Sequence, residues 1–199
     1  MGETKKKPYY KSDACEVSRM ENETGDGIST AFRVFPGIYL LHSDFHMQEC
    51  PTVKSDDADI LWLDFCREGR VEWEISKDKY VYLESGNYVI DIRAGRKFTL
   101  HFPMGHYHGI SLRIHMKEAN QALADFIKGV NIDVYTIRDK FLSEGQPFIT
   151  KGNEIIHHIF EEIEQVPWDS SGEYYKIKVL EILFQLKNME RPKEQIERP

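Results

Sequence analysis

The hydrophobic pattern of this chain changes its period once, near His115. Before that residue, apolar positions alternate with polar ones or form short runs between turn residues, which predicts strands. After it, apolar positions recur every three to four residues, which predicts helices. The chain is therefore expected to have an α+β fold, with a β-sandwich, β-barrel or jelly roll followed by C-terminal α-helices.

The hydrophobic pattern of the first half predicts short strands with no helix between them, which disfavours a parallel α/β sheet. Turns such as Pro36-Gly37, Glu68-Gly69 and Ser85-Gly86 separate the strands. The predicted strands are 31–35, 37–46, 59–67, 70–76, 79–83, 87–92, 96–102 and 106–115. The predicted helices are 117–128, 133–143 with Asp133 as N-cap, 153–165 ended by Pro167, and about 172–190.

The last predicted helix carries two opposed apolar stripes. One stripe has the alternating spacing of four and three that is typical of a coiled-coil seam, and we assign it to a homodimer interface. This stripe is Tyr175, Val179, Ile182, Leu186 and Met189. The other, Ile177, Leu180 and Phe184, lies on the opposite side at about 100° per residue. One stripe can pack on its own domain while the other contacts a second molecule; alternatively, the helix lies between two layers of its own fold.

The two ends of the chain are expected to lie outside the packed fold. Residues 1–27 are rich in charge and glycine with little apolar periodicity, so we predict a flexible arm there. Residues 191–199 are charged and bounded by prolines, which is typical of the start of an interdomain linker. The barrel is expected over 28–115, and a helical dimerisation subdomain packed on it over 116–190.

Composition limits the class of protein. The net charge of −7, from 33 acidic and 26 basic residues, is a poor match for nucleic acid. No apolar run reaches the roughly 20 residues that cross a membrane, and none resembles a signal peptide, so a cytoplasmic protein without membrane contact is expected. The three cysteines, Cys15, Cys50 and Cys66, form no C-x-x-C pair, which argues against disulfides and structural zinc. Motifs of common hydrolases and nucleotide-binding enzymes are absent, so we predict no catalytic activity.

Histidines and aromatic residues supply the candidate ligand site. His106 and His108 share a strand face with aliphatic residues, as do His42 and His46, so these imidazoles are expected to point into the barrel. Trp73 and Tyr88 are placed inside by the same alternation, whereas Asp64 lies on a strand whose two faces are equally mixed. Such residues suit a small-molecule effector, although a plain core would show the same aromatics. The predicted ligand-binding residues are His42, His46, Asp64, Trp73, Tyr88, His106 and His108.

A metal is a further interpretation of the histidines. An H-x-H pair such as His106/His108 can hold a metal ion together with His42 or His46, and Asp44 or Asp64 can supply a carboxylate. The same histidines can equally be polar residues at a barrel mouth that hydrogen-bond a ligand or the backbone. We predict no metal and no cofactor.

Three segments resemble the cupin-like sensing half of AraC-type transcription regulators. They are residues 66–72 (CREGRVE), 82–88 (YLESGNY) and 102–109 (FPMGHYHG). Residues 82–88 resemble the L-x-P-G-D turn of such domains, with Ser85 and Asn87 in place of Pro and Asp. Residues 102–109 are similar to the P-x-G-x-x-H loop that many cupins carry.

This resemblance covers roughly residues 30–190 and implies a jelly roll that binds an effector, with helices through which two copies dimerise. In complete family members a helix-turn-helix module follows a linker and binds DNA, and nothing after Arg191 could hold it. Enzymatic cupins carry an H-x-H metal motif near the hairpin that corresponds to 67–80, and this hairpin has no histidine. A small cupin metalloenzyme and a non-signalling binding barrel, such as a carbohydrate-binding one, remain the alternatives.

Overall fold

Strand β6 (Ile60–Ser76) runs for 17 residues and belongs to two antiparallel sheets. In this computed structural model the chain is described for residues 5–52, 56–95, 97–129, 131–151, 153–166 and 171–192. The first half of β6 pairs with β8 (Asn87–Asp91) and β10 (Tyr107–His115), and its second half pairs with β7 (Lys79–Glu84) and β9 (Thr99–His101). The two sheets are therefore one curled sheet that is continuous through β6.

The larger sheet, sheet A, has the strand order β1-β2-β3-β4-β10-β6-β8-β11. Its other strands are β1 (Lys5–Lys11), β2 (Cys15–Asn22), β3 (Gly25–Phe35), β4 (Ile38–His46), β8 (Asn87–Asp91), β10 (Tyr107–His115) and β11 (Phe148–Lys151). The smaller sheet, sheet B, adds β5 (Glu49–Pro51), β7 (Lys79–Glu84) and β9 (Thr99–His101) to the second half of β6.

A β-bulge in β6 changes which side chains face inward. Opposite β10, Gly109 pairs with Cys66 and His108 pairs with Glu68, so Arg67 is the extra residue. An extra residue reverses the alternation of side chains beyond it. The sequence predicted a turn at Glu68-Gly69 between two strands; instead, one strand continues through the bulge.

Sheet A is buried on both faces. One face packs against the helices, with side chains such as Leu40, Leu63 and Ile110. The other packs against sheet B, where Phe45, Cys66 and residues of β7 meet. The aliphatic face that carries the four predicted histidines is therefore the helix-covered face, not the space between the sheets. Strand alternation placed these side chains together, but their assignment to the barrel interior was wrong.

Within the described residues, four helices follow β10, in the predicted order. They are α1 (Met116–Phe126), α2 (Val134–Phe141), α3 (Glu154–Gln165) and α4 (Ser171–Asn188), with β11 between α2 and α3. The Asp133 side chain caps α2 as predicted, since its Oδ1 accepts a hydrogen bond from the Tyr135 amide at 3.0 Å. In the described ranges, no helix is both long enough and apolar enough to span a membrane.

The N-terminal segment forms strands, so the prediction of a flexible arm there was wrong. Residues 5–22 form β1 and β2, and β3 begins at Gly25 rather than at residue 31. These strands lie at one edge of sheet A and pair through their backbones, so they need no apolar alternation that the sequence would reveal. Residues 1–4, Pro167 and residues 193–199 of the predicted linker lie outside the described residues.

The stripe of α4 that was predicted to form a homodimer interface is buried within the chain itself. Tyr175, Val179, Ile182 and Leu186 are buried in the helix-side core of the same chain, and Met189 packs partly buried against that core. Their coiled-coil spacing reflects packing on sheet A and α3 rather than on a second copy. The opposite stripe is the exposed one, with Ile177 at 60% and Phe184 at 48% exposure.

Gly69, just beyond the bulge, should tolerate no side chain. Its φ is +83°, and an added Cβ would lie 2.3 Å from the carbonyl oxygen of His106. We expect Gly69→Ala to lower the free energy of unfolding by about 3 kcal/mol or more, because backbone strain adds to a clash between paired strands. Urea denaturation followed by circular dichroism measures this loss.

Gly145→Ala is the matched control. Gly145 has a φ of +69°, but nothing lies within 4 Å of an added Cβ. We expect it to lose only the strain of a positive φ, about 1 kcal/mol. Equal losses in the two variants would contradict the close approach of β6 and β10 at Gly69.

Candidate functional site

A cluster of polar side chains lies at one end of the helix-covered face of sheet A. Along β4 the buried Ile38 and Leu40 give way on the same face to half-buried His42 and then to exposed Asp44 and His46. β10 runs antiparallel beside β4, and this pairing sets His108 opposite Asp44. We call the following residues the polar cluster: His42, Asp44, His46, Arg67, His106, His108 and Glu164.

Glu164 at the end of α3 joins the helix layer to sheet A. Its Oε2 is 2.5 Å from Arg67 Nη1, and its Oε1 is 3.8 Å from His42 Nδ1. The interaction with His42, and the charges of Arg67 and His108, lower the pKa of Glu164 although its partial burial opposes this. Glu164 is therefore held as a carboxylate.

His42 connects this carboxylate to α4. The hydroxyl of Tyr175, a buried residue of α4, lies 3.3 Å from His42 Nε2. Phe32 of β3 packs against both rings edge-on, with centroid distances of 5.9 Å to His42 and 5.3 Å to Tyr175. A polar connection thus runs from α3 through β4 to α4.

Two imidazoles converge on Asp44 at the exposed end of the cluster. Oδ1 of Asp44 is 2.9 Å from His46 Nε2 and 3.5 Å from His108 Nε2. His106 points to other groups: its Nδ1 is 3.2 Å from the carbonyl oxygen of Met104, and its Nε2 is 3.8 Å from Glu68.

A cavity of about 390 Å³ opens beside Glu164, between β6 and α3. Phe65 and Phe160 line it and stack face to face, with ring centroids 4.4 Å apart. Arg67, His157 and Glu161 contribute polar groups to its wall. Its volume is within the range of small-molecule pockets, and it combines an apolar surface with a few charged groups.

The seven predicted ligand residues do not form one pocket. His42, His46, His106 and His108 come together in the polar cluster. Asp64 and Trp73 lie on the other side of sheet A, between the two sheets. Tyr88 is fully buried in the helix-side core, and burial raises its pKa to about 12. Alternation fixes which residues share a face but not which layer covers that face.

Asp64 and Trp73 surround a single arginine. Arg93 forms ion pairs with Asp64 and, at 3.6 Å, with Asp91. Its guanidinium carbon lies 4.9 Å from the ring centroid of Trp62 and 5.1 Å from that of Trp73. These contacts compensate a cation between the sheets and indicate a structural role.

The H-x-H metal set of enzymatic cupins does not fit the space between the sheets. No histidine is among the buried residues of the described chain; the potential donors in that space are cysteines, Tyr107 and Asp64, and Asp64 is already paired with Arg93. Burial raises the pKa of the Cys66 thiol to about 12, helped by Glu84 and Glu68, which disfavours the thiolate that binds metals.

Sequence reasoning missed Glu164, Arg67 and His157 as site residues. Glu164 follows Phe160 by four positions, so it lies at the edge of the apolar stripe of α3 rather than on its wet face. That spacing was the available signal. Arg67 lies at the bulge, which the sequence marked only as a turn, and His157 carried no distinctive pattern.

No protein-family model matches this chain, and no curated protein matches it in sequence. Similar solved structures include the AraC-like transcriptional activator CuxR, at 10% identity and a TM-score of 0.48 over 92% of this chain. They also include ToxT from Vibrio cholerae, at 10% identity and a TM-score of 0.43 over 79% of this chain. The chain spans 65% and 61% of the lengths of these two structures.

A third similar structure is the Cupin_2 domain of an XRE family transcriptional regulator from Enterobacter cloacae. It is 13% identical, with a TM-score of 0.31 over 56% of this chain and 95% of that domain. All three TM-scores are below 0.5, so these likenesses do not assign a family or a role.

Replacing Glu164 by Gln should remove a pH-dependent part of the stability. The pKa of Glu164 is lowered in the folded protein, whereas an unfolded glutamate has a pKa of about 4.3. Its contribution is therefore fully present above that pH and is lost as the pH falls through the folded value. We expect wild type to be more stable than Glu164→Gln at neutral pH, and the difference to shrink in acid, by urea titration across this range.

Glu161→Gln supplies the comparison, since Glu161 is an exposed carboxylate on the same helix and in the same cavity wall. Because the Glu161 side chain is exposed, we expect Glu161→Gln to change the free energy of unfolding little. If the two variants gave the same pH profile, the assigned role of Glu164 would be wrong.

Proposed function

We propose that this chain is the effector-sensing and dimerisation domain of a cytoplasmic, AraC-type DNA-binding transcription regulator. The observation that carries the proposal is the two-faced helix α4. One face is buried in the helix-side core, while Ile177 and Phe184 on the other are 60% and 48% exposed. Exposed apolar side chains arranged along one helix face are typical of a protein interface. The proposal includes no catalytic activity.

The occupant proposed for this face is α4 of a second copy, in antiparallel orientation. Setting Ile177 of one copy against Phe184 of the other buries both apolar side chains around the half-buried Leu180. The same register brings Glu173, near the start of one helix, close to Lys187 near the end of the other. These charges are opposite in sign, and antiparallel helix dipoles also attract. Charge complementarity therefore supports a symmetric pair of copies.

The effector is proposed to bind in the cavity beside Glu164. Its stacked Phe65 and Phe160 suit a small molecule with an apolar ring or chain, and Arg67 and Glu161 suit its polar groups. A ligand that contacts Arg67 would compete with the ion pair between Arg67 and Glu164.

A change in the ion pair between Arg67 and Glu164 would affect α4 through side chains that are already in contact. Glu164 faces His42, and His42 contacts the hydroxyl of Tyr175 on the buried side of α4. The ligand can shift the dimer only if it binds two arrangements of this connection with different affinities. The proposed signal is therefore a change in how α4 presents its exposed face.

Contact with DNA is assigned to a helix-turn-helix module that this sequence does not contain. The AraC-like segments around residues 66–72, 82–88 and 102–109 support this assignment. The net charge of −7 agrees with it, because DNA binding by this chain would need a basic surface. Two copies joined through α4 would place two such modules on paired half-sites.

A double substitution on the exposed face tests the dimer. Ile177→Glu together with Phe184→Glu should convert a dimer to a monomer, because four carboxylates would face one another across the two-fold axis. Sedimentation velocity over a range of concentrations measures this change. Circular dichroism should be unaltered, since neither side chain is buried in the core.

Ile155→Glu together with Phe126→Glu is the matched control. These residues are exposed to similar extents, 50% and 57%, but lie on α3 and α1. The control should sediment as wild type does. A wild type that is monomeric at all concentrations, or a dimer that survives the α4 substitutions, would overturn the dimer role of this face.

A further inference from the structure

We propose that Asp44, His46 and His108 form a binding site for a first-row divalent transition metal such as Zn²⁺. Each offers one ligand atom, and these three atoms all lie within 4.8 Å of one another. Two imidazole nitrogens and one carboxylate oxygen are a donor set that such ions bind in proteins. The site lies on the helix-covered face of sheet A, at its open end, and it is independent of the proposed function.

The distances require little rearrangement. Zinc bonds of about 2.0–2.1 Å in tetrahedral geometry place neighbouring ligand atoms about 3.3 Å apart. Asp44 Oδ1 is 2.9 Å from His46 Nε2 and 3.5 Å from His108 Nε2. Both pairs are within a few tenths of an ångström of that spacing, and the two imidazole nitrogens are within 4.8 Å of each other, so an ion would draw the imidazoles together around Asp44.

The strand pairing fixes the three ligands relative to one another. His108 on β10 is directly opposite Asp44 on β4, and His46 is the next residue on the same face of β4. Residues paired across strands have Cβ atoms about 4.5–5.5 Å apart. The ladder between β4 and β10 continues inward to the fully buried Leu40 and Leu112, so its backbone is firmly held.

The site is accessible and has room for further ligands. The side chains of Asp44 and His46 are 56% and 62% exposed, and that of His108 is 30% exposed. His106 is close, with its ring centroid 6.3 Å from that of His108, but its Nδ1 is engaged with the Met104 carbonyl. Three protein ligands with an open fourth position are typical of sites where a metal binds water or a small molecule.

The charges around the site also favour a cation. Asp44 supplies a carboxylate, and Asp26 lies opposite His46 across β3 and β4. Glu68 faces His106 at 3.8 Å. Two cations lie nearby among the described residues, and each is paired with a carboxylate: Arg67 with Glu164, and Arg19 with Asp26.

Titration of the untagged full chain with Co²⁺ and Zn²⁺ tests the site. Co²⁺ reports its ligands and geometry by visible absorption, and calorimetry gives the stoichiometry and affinity for Zn²⁺. We expect one equivalent to bind, with Zn²⁺ displacing Co²⁺. Asp44→Asn and His108→Ala should each weaken binding at least tenfold while circular dichroism is unchanged.

Two control variants locate the ion. His101→Ala removes a half-exposed histidine that lies beside Glu49 on sheet B, and it should bind as wild type does. Cys15→Ser removes the partly exposed thiol and should also leave binding unchanged. Absence of saturable binding, binding that survives both Asp44→Asn and His108→Ala, or binding lost in either control would overturn the proposal.

Discussion

One extra residue in β6, Arg67, determines how this protein is layered. Before the bulge, the odd-numbered positions Leu63 and Phe65 face the helices; beyond it, the odd-numbered Val71 and Trp73 face the space between the sheets. A strand without the bulge would keep one set of odd positions on the same side throughout. The bulge therefore lets a single strand belong to both sheets and bury an apolar side chain in each core.

The bulge also places the guanidinium of Arg67 beside the C-terminal end of α3. Arg67 is exposed, yet its guanidinium meets Glu164 of α3, and Glu164 in turn faces His42 of β4. Exposed ion pairs contribute little to stability, but this carboxylate is largely covered, and several groups compete for it. The same few side chains border the cavity and lead through His42 to Tyr175 on α4.

Local patterns predicted the elements well where burial is one-sided. The helix periods and the Asp133 cap are found in the structure, and His42, His46 and His108 lie at one end of one face of β4 and β10. The covering layer was not predictable, because alternation is symmetric between the two faces of a sheet and only the packing of distant helices decides between them. For the same reason, the predicted roles of the two stripes of α4 were reversed: the stripe predicted to face a second copy is the buried one. The hairpin of β1 and β2 escaped detection because it is held by backbone pairing.

The position of β1 at the rim of sheet A affects how copies of this protein meet. An edge strand exposes unpaired backbone N–H and C=O groups, which can pair with a strand of another chain and lead to aggregation. β1 has the sequence KKKPYYK: it carries four lysines, and Pro8 lacks an amide hydrogen. Like charges and a missing donor both discourage sheet extension at this rim. Addition of further strands at this edge of sheet A is therefore disfavoured.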